Sequence, residues 1–174
     1  MFALFPGNGI SPETTPDLAA AEKTLELRLS QGGGHTGWSR AWIINFYARL
    51  GNGSEAYHHL NELLTYSTLP NLFDDHPPFQ IDGNFGATAA IAHMFVQSSK
   101  DTINLMKVLP DEWRNGTIKG LCAKGGLVID LTWADGVLTN ARITAKTDYT
   151  GTIVYQGQIK EICMAKGDSI SVKY

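Results

Sequence analysis

Asn84 to Gln97 reads NFGATAAIAHMFVQ, and a helix drawn through it is apolar on every side: Phe85, Ala87, Ala89, Ala90, Ile91, Ala92, Met94, Phe95 and Val96. Such a helix is expected to be covered all round. About Gly37 to Leu50 has the same character, through Trp38, Ala41, Trp42, Ile43, Ile44, Phe46 and Tyr47. Each of these segments follows a helix with only one apolar stripe. About Pro16 to Leu29, with Thr15 as N-cap and proline at the first helical position, the stripe is Leu18, Ala21, Leu25 and Leu29. About Glu55 to Leu64, with Ser54 as cap, it is Ala56, Leu60, Leu63 and Leu64. A one-sided helix suits an outer layer and an all-apolar one an inner layer. Outer–inner pairs, repeated, build an α/α barrel, and four helices make only part of such a ring.

Near residue 100 the apolar period changes from helical spacing to alternation, and β-branched residues become common. Strands are expected over Ile118–Ala123, Leu127–Trp133, Val137–Ala145, Thr152–Tyr155, Ile159–Met164 and Ser169–Lys173. Asp135-Gly136 is a strong hairpin signal and Lys166-Gly167-Asp168 a weaker one. Leu109 to Trp113 is read as joining the layers, with Trp113 as anchor. The fold class is therefore α + β in series. A partial toroid of about four helices occupies 1–103, and a small antiparallel β-sandwich domain occupies 104–174.

Composition limits the function classes. The net charge of −3 is spread along 174 residues without a basic stripe or acidic tail, which speaks against a nucleic-acid or anionic-membrane surface. Cys122 and Cys163 have no metal-ligand spacing and read as small core residues or as a pair across a sheet. The opening, MFALFPGNGISPETTPD, lacks a basic n-region and is interrupted early by Pro6 and Gly7, so it reads as the interior of a longer protein rather than a signal peptide. No compartment is assigned.

Two polar, glycine-rich segments precede the two all-apolar helices: GGGHTGWSR, Gly32 to Arg40, and DDHPPFQIDGNFG, Asp74 to Gly86. If outer and inner helices alternate in direction, both segments lie at one end of the ring, where sites are usually built. Plainer roles exist for each residue. Asp82 or Asn84 in an Asp-Gly-Asn turn is a normal helix cap. His76 can pack on Phe79, His35 can accompany a turn, Arg40 can be solvated or ion-paired, and Trp38 and Trp42 can be core. His58 and His59 are expected on different faces, both toward solvent. Asp74, Asp75, His76 and Asp82 offer metal-type ligands, but the prolines stiffen the segment and no second histidine stands at a ligand spacing. No metal or other cofactor is expected.

HPPFQIDGNFG (His76 to Gly86) and HTGWSRAW (His35 to Trp42) resemble glycoside hydrolase family 95. Leu69 to Asp74, the stretch Leu109 to Gly126 and the opening segment fit the same family, so the resemblance covers the chain to about Asp148. It implies the last third of an (α/α)6 barrel followed by the C-terminal β-domain of an inverting α-L-fucosidase. Asp82 is then the general base. His76 lines the sugar subsite, and His35 and Trp38 are the further sugar contacts. The general acid and the asparagines that help activate water lie upstream, in sequence absent from this chain, so the chain alone is expected to be inactive. The implied ligand is a fucosylated oligosaccharide. The implied protein partner is the missing N-terminal part or another copy. An α-L-galactosidase of the same family and a non-catalytic glycan-binding remnant are the alternatives.

Overall fold

The structure is a computed structural model that describes residues 1–10 and 15–174. It divides into two compact units, Met1–His93 and Met94–Tyr174. The expected boundary after residue 103 lies further along the chain than this division.

The first unit is helical: α1 (Thr15–Ser30), α2 (Gly37–Leu50), α3 (Gly53–Tyr66) and α4 (Asp82–Phe95), whose last two residues belong to the second unit. The capping role expected of Thr15 concerns a side chain outside the described residues. Along α1, Ala21 and Leu25 are buried while Leu27 is 64% exposed, a one-sided helix as its stripe requires. Ala41 and Ile43 through Ala48 of α2 are buried on successive faces. Gly51, in the left-handed region at φ 87°, ends α2 by giving its N–H to the Tyr47 carbonyl at 3.0 Å. The chain turns at once into α3, whose cap is Asn52 and not the expected Ser54. The Asn52 side chain accepts the Glu55 N–H at 3.1 Å, because the glycine stop starts the helix earlier than its apolar stripe does.

Two expectations about helix faces are corrected. His59 is buried, whereas His58 faces solvent. With Ala56, Leu60 and Leu63, His59 completes the i, i+3, i+4, i+7 face of α3, so Leu64 is left 54% exposed. The His59 ring stacks on Tyr47 at 5.4 Å, and its Nδ1 accepts a hydrogen bond from Arg40 at 2.9 Å. In addition, α4 is not covered all round: Gly83, Ala87, Ala90 and Met94 are buried, but Phe85 is 66% exposed. Among the described residues nothing packs over that face.

The α2–α4 crossing is close. A methyl added at Gly86 would stand 3.0 Å from the Ala41 Cβ. Asn45, fully buried, locks the crossing. Its amide donates to the Ala41 and Gly86 carbonyls, each at 2.9 Å, and its oxygen accepts from His93 Nδ1 at 3.0 Å. Every hydrogen-bonding position that counts is thereby filled, as a buried amide requires. The N-terminal segment adds Phe5, edge-on to both Trp42 and His93 at 5.5 and 5.3 Å.

The second unit holds two four-stranded sheets. One has the order β1 (Val96–Ser98), β2 (Thr102–Leu105), β6 (Tyr149–Tyr155), β7 (Gln158–Met164); the other β3 (Gly116–Ala123), β4 (Leu127–Ala134), β5 (Val137–Ala145), β8 (Ser169–Val172). Pairing is antiparallel except between β2 and β6, which run parallel. That pair departs from the purely antiparallel expectation. The strands β1 and β2 lie outside the expected set; for β1 the reason is that Val96 and Gln97 continue the apolar run of α4.

Asp135-Gly136 forms the expected tight turn, with φ 52° and 79° closing Ala134 against Val137. Gln156-Gly157, at φ 46° and 79°, makes a second such turn between β6 and β7. Lys166-Gly167-Asp168 is not a hairpin; it carries the chain from β7 in one sheet to β8 in the other. Inward residues such as Ile103, Ile129, Leu131, Leu138, Ile143 and Ile153 are fully buried. The Tyr155 hydroxyl of one sheet accepts the Leu138 N–H of the other at 2.8 Å. Trp113 stacks on Phe95 at 5.9 Å, and its carbonyl accepts the Trp133 indole N–H at 2.6 Å. Cys122 and Cys163 are free, exposed and on different sheets, so neither is a core residue or a bridge. No helix among the described residues is long and apolar enough to cross a membrane.

Burial, reinforced by Arg40 and His58, pulls the His59 imidazole down to about 4; burial and Arg49 do the same to His93. An unfolded histidine titrates near 6.5. Between those values the unfolded chain binds protons that the fold does not. The stability both rings contribute is therefore complete above about pH 6.5 and is lost as pH falls toward about 4. Thermal melts should show a transition temperature that is level above neutrality and declines through this window. The decline should be shallower in His59→Gln, and an equal slope in the two proteins would contradict the assignment.

Candidate active site

The two polar segments meet at the starts of the buried helices. The glycine run after α1 makes the first turn. Gly33 returns its N–H to the Arg28 carbonyl at 3.0 Å, and Gly32 and Gly34 adopt φ of 84° and 83°. At Gly34 a side chain would also collide with Ile43. This tight exit delivers His35 to the surface one residue before Thr36, whose extended backbone starts α2. The His35 Nδ1 donates to the Gly32 carbonyl at 2.9 Å, which leaves Nε2 as the ring's acceptor.

His76 repeats the arrangement. Its Nδ1 donates to the Pro78 carbonyl at 2.9 Å, within a segment whose Pro77–Pro78 peptide is cis. Phe79 stacks on Phe73 at 5.1 Å. Trp38 is 42% exposed and edge-on to Trp42 at 6.4 Å, so part of its indole remains open.

Asp82 is the first residue of α4, and its side chain is exposed. Among the described residues its carboxylate makes no hydrogen bond and no ion pair. The capping role weighed for Asp82 is thus not what the helix uses. Asn84 does not cap the helix either. Its oxygen accepts the Asp74 N–H at 3.0 Å and its amide donates to the Leu72 carbonyl at 2.6 Å, pinning the preceding loop to α4.

The residue that brings the segments together was read from the sequence only as a potential metal ligand. Asp74 is 3% exposed, and its carboxyl group lies between the first turns of α2 and α4. A Cβ at Gly83 would be 2.5 Å from its Cγ, and one at Gly37 would overlap its Oδ1. Neither carboxyl oxygen has a hydrogen-bond partner. Burial pushes the group above the usual carboxylate range; His76 opposes this, while Asp75 and Asp82 add to it. Asp74 closes the Leu69–Asp74 segment that fits the family, but nothing in that segment marks its burial; only the pair of glycines, each near the start of a helix, hints that something fills the space beside them.

A groove of about 580 Å³, lined by Leu25, Arg28, Trp38, Trp42 and Phe46 among others, runs between α1 and α2. It includes Trp38 but not His35, His76 or Asp82. Among the described residues no group of three His, Cys, Asp or Glu side chains is placed to hold a metal ion.

Comparison with known proteins places this arrangement. By fold, the chain is similar to a putative kojibiose phosphorylase from the human microbiome, with TM-score 0.50 and 17% identity over 80% of this chain and 20% of that one. That likeness concerns architecture alone: helices of an α/α class followed by strands. The model of the glycosyl hydrolase family 95 catalytic domain matches residues 1–95, and that of the family's C-terminal domain matches residues 97–173. The chain belongs to glycoside hydrolase family 95. It is 39% identical to alpha-L-fucosidase 2 of Arabidopsis thaliana over 90% of its length, and 29% identical to a probable alpha-fucosidase A of Aspergillus niger over 82%. It spans about 20% of the length of each.

Because Asp74 fills the space beside both glycines, methyl groups there should be poorly tolerated. Gly37→Ala and Gly83→Ala should each lower stability by about 1–3 kcal/mol, the usual range for an overfilled core. Asp74→Gly should relieve the penalty at position 83. Chemical denaturation of the single and double variants measures this, and additive losses would contradict the packing.

Proposed function

We propose that this chain is the C-terminal part of an inverting glycosidase that removes terminal α-linked L-fucose from oligosaccharides, with Asp82 as the general base. The observation that carries the reading is the exposed carboxylate of Asp82. It is unpartnered at the start of a buried helix, in the segment that resembles the family's base motif. The names of the relatives, two of them α-fucosidases, supply the sugar. His35 and His76 are the proposed sugar contacts. Their rings are fixed by Nδ1 bonds to backbone carbonyls, and Nε2 is left to receive a hydroxyl proton. Trp38 offers the partly open indole face against which a sugar's C–H surface can rest.

Inversion needs a carboxylate on one face of the sugar to take a proton from water, and an acid on the other face to protonate the departing oxygen. The two carboxyl groups stand roughly 6.5–9.5 Å apart so that the water fits between them. Asp74 cannot be that acid, being buried between two helix starts. In this reading the acid and the amides that orient the water come from sequence outside these residues. Holding the water in line between base and sugar supplies much of the barrier reduction, so the contribution of Asp82 rests on that geometry.

The chain alone should not release fucose from 2′-fucosyllactose, and a polypeptide extended to the relatives' length should. In the latter, Asp82→Asn should lower kcat by about 10²–10⁴-fold, the range for loss of a general base. Turnover by the chain alone would overturn its inactivity, and an unchanged rate in Asp82→Asn would reduce Asp82 to a structural residue. The isolated chain should also self-associate, since Leu27, Leu64 and Phe85 are each more than half exposed. Sizing across a concentration series checks this; a stable monomer throughout would contradict it.

A further inference from the structure

Asp74 has a feature that packing alone does not require. A buried polar group normally finds a hydrogen-bond partner, and a buried carboxylate without one is destabilising. Asp74 is 3% exposed, and neither of its oxygens has a partner. An apolar side chain would fill the same space without that penalty. What faces the carboxyl group is the start of α2 at Gly37 and the start of α4 at Gly83. Helix starts carry free N–H groups and the positive end of the helix dipole. A carboxylate offers two acceptor oxygens and no donor, so one group can face two such ends. An amide of the same shape has one acceptor end and one donor end, so it suits only one of them.

Lever arms are short on both sides. Asp82 adjoins Gly83, and His35 precedes Gly37 by two residues. The loop is held from the other direction as well. The Asp74 N–H is bonded to Asn84, and the Asp75 N–H is bonded to the Ser67 carbonyl at 2.9 Å. Displacing the carboxyl group would therefore shift the base relative to the sugar contacts and leave the rest of the helices in place.

We propose that Asp74 is a positioning residue that joins the first turns of α2 and α4 and so sets the place of Asp82 relative to His35. This rests on the reading of Asp82 as general base. The charged groups in electrostatic reach of Asp74 are His76, Asp75 and Asp82.

The test compares Asp74→Asn, Asp74→Ala and Asp82→Asn in the polypeptide extended to the relatives' length, with 2′-fucosyllactose as substrate. Misplacement of a reacting group by about 1 Å is worth on the order of 10²-fold in rate. Asp74→Asn should therefore lower kcat by about 10–100-fold while KM changes less than about threefold, because the loss falls on the transition state and not on binding. A merely structural residue would instead lower the melting temperature and leave kcat of the folded fraction unchanged; that result would overturn the proposal. If Asp82→Asn is inactive while both Asp74 variants keep kcat, positioning by Asp74 is wrong and the base assignment stands. If Asp82→Asn keeps its rate, the base assignment is wrong. A second arm uses the present chain. Asp74→Asn should move the amide resonances of both Gly37 and Gly83 while those of α3 stay fixed, and movement at only one glycine would overturn the bridge. If Asp74→Ala does not fold, the near-isosteric Asp74→Asn carries both arms.

Discussion

The geometry of the candidate site depends on one buried carboxylate meeting two glycines. Asp74 can occupy its place only because neither Gly37 nor Gly83 carries a side chain. The arrangement replaces a long path through two loops by a short one through a single residue. The loops themselves are rich in glycine and proline, residues that fix turns but pack little. On our proposal, Asp74 holds together the two helix starts beside which His35 and Asp82 stand. Asn84 makes the tie rigid by holding the loop backbone on either side of Phe73.

A second lock lies deeper along the same two helices. Where Gly86 lets α4 approach Ala41, the fully buried Asn45 spends its amide on both helices' carbonyls and its oxygen on His93. That pattern fixes the neutral His93 with its proton on Nδ1, and it is consistent with an imidazole held far below its usual titration range. Polar groups are thus buried at two depths, Asn45 on α2 and Asp74 in the loop before α4, and the two are opposite in kind. Asn45 is fully satisfied and specifies how the helices cross. Asp74 is unsatisfied at its oxygens and stands where the helices open toward the site. Buried polar groups of the first kind specify a fold; those of the second kind are tolerated where position has a use.

Much of this was legible in the sequence, and the failures are of definite kinds. Among the described residues, periodicity placed the four helices and six of the eight strands. It extended α4 through Gln97 because an apolar run carries no mark of where a 3.6-residue period becomes a two-residue one. It could not tell that Phe85 would be exposed, because exposure depends on neighbours and not on the helix itself. Turn chemistry identified Asp135-Gly136 but misjudged Lys166-Gly167-Asp168, where a short link changes sheets. His59 was misplaced because a histidine counts as polar in a pattern, yet buries readily once Arg40 and Tyr47 satisfy its ring. In the site, His35, His76 and Asp82 came from motif resemblance. Asp74 could not be found that way, for its role is defined by contacts between segments distant in sequence.

The state of the exposed groups gives the proposed chemistry its form. Two histidines with Nδ1 bonded to carbonyls of their own loops leave Nε2, in the proposed reading, to accept a sugar hydroxyl. Asp82 is exposed and unpartnered at the start of α4, and Asp75, next to His76, is exposed as well; what distinguishes Asp82 is the motif it shares with the family. In the proposed reading, a sugar held by the histidines meets Asp82 on one of its faces. In an inverting reaction a base on one face orients the water, and protonating the departing oxygen falls to a second group. An inverting enzyme of the proposed kind sets its acid on the opposite face, and on our proposal the alignment of Asp82 with that acid depends on the helix starts that Asp74 holds.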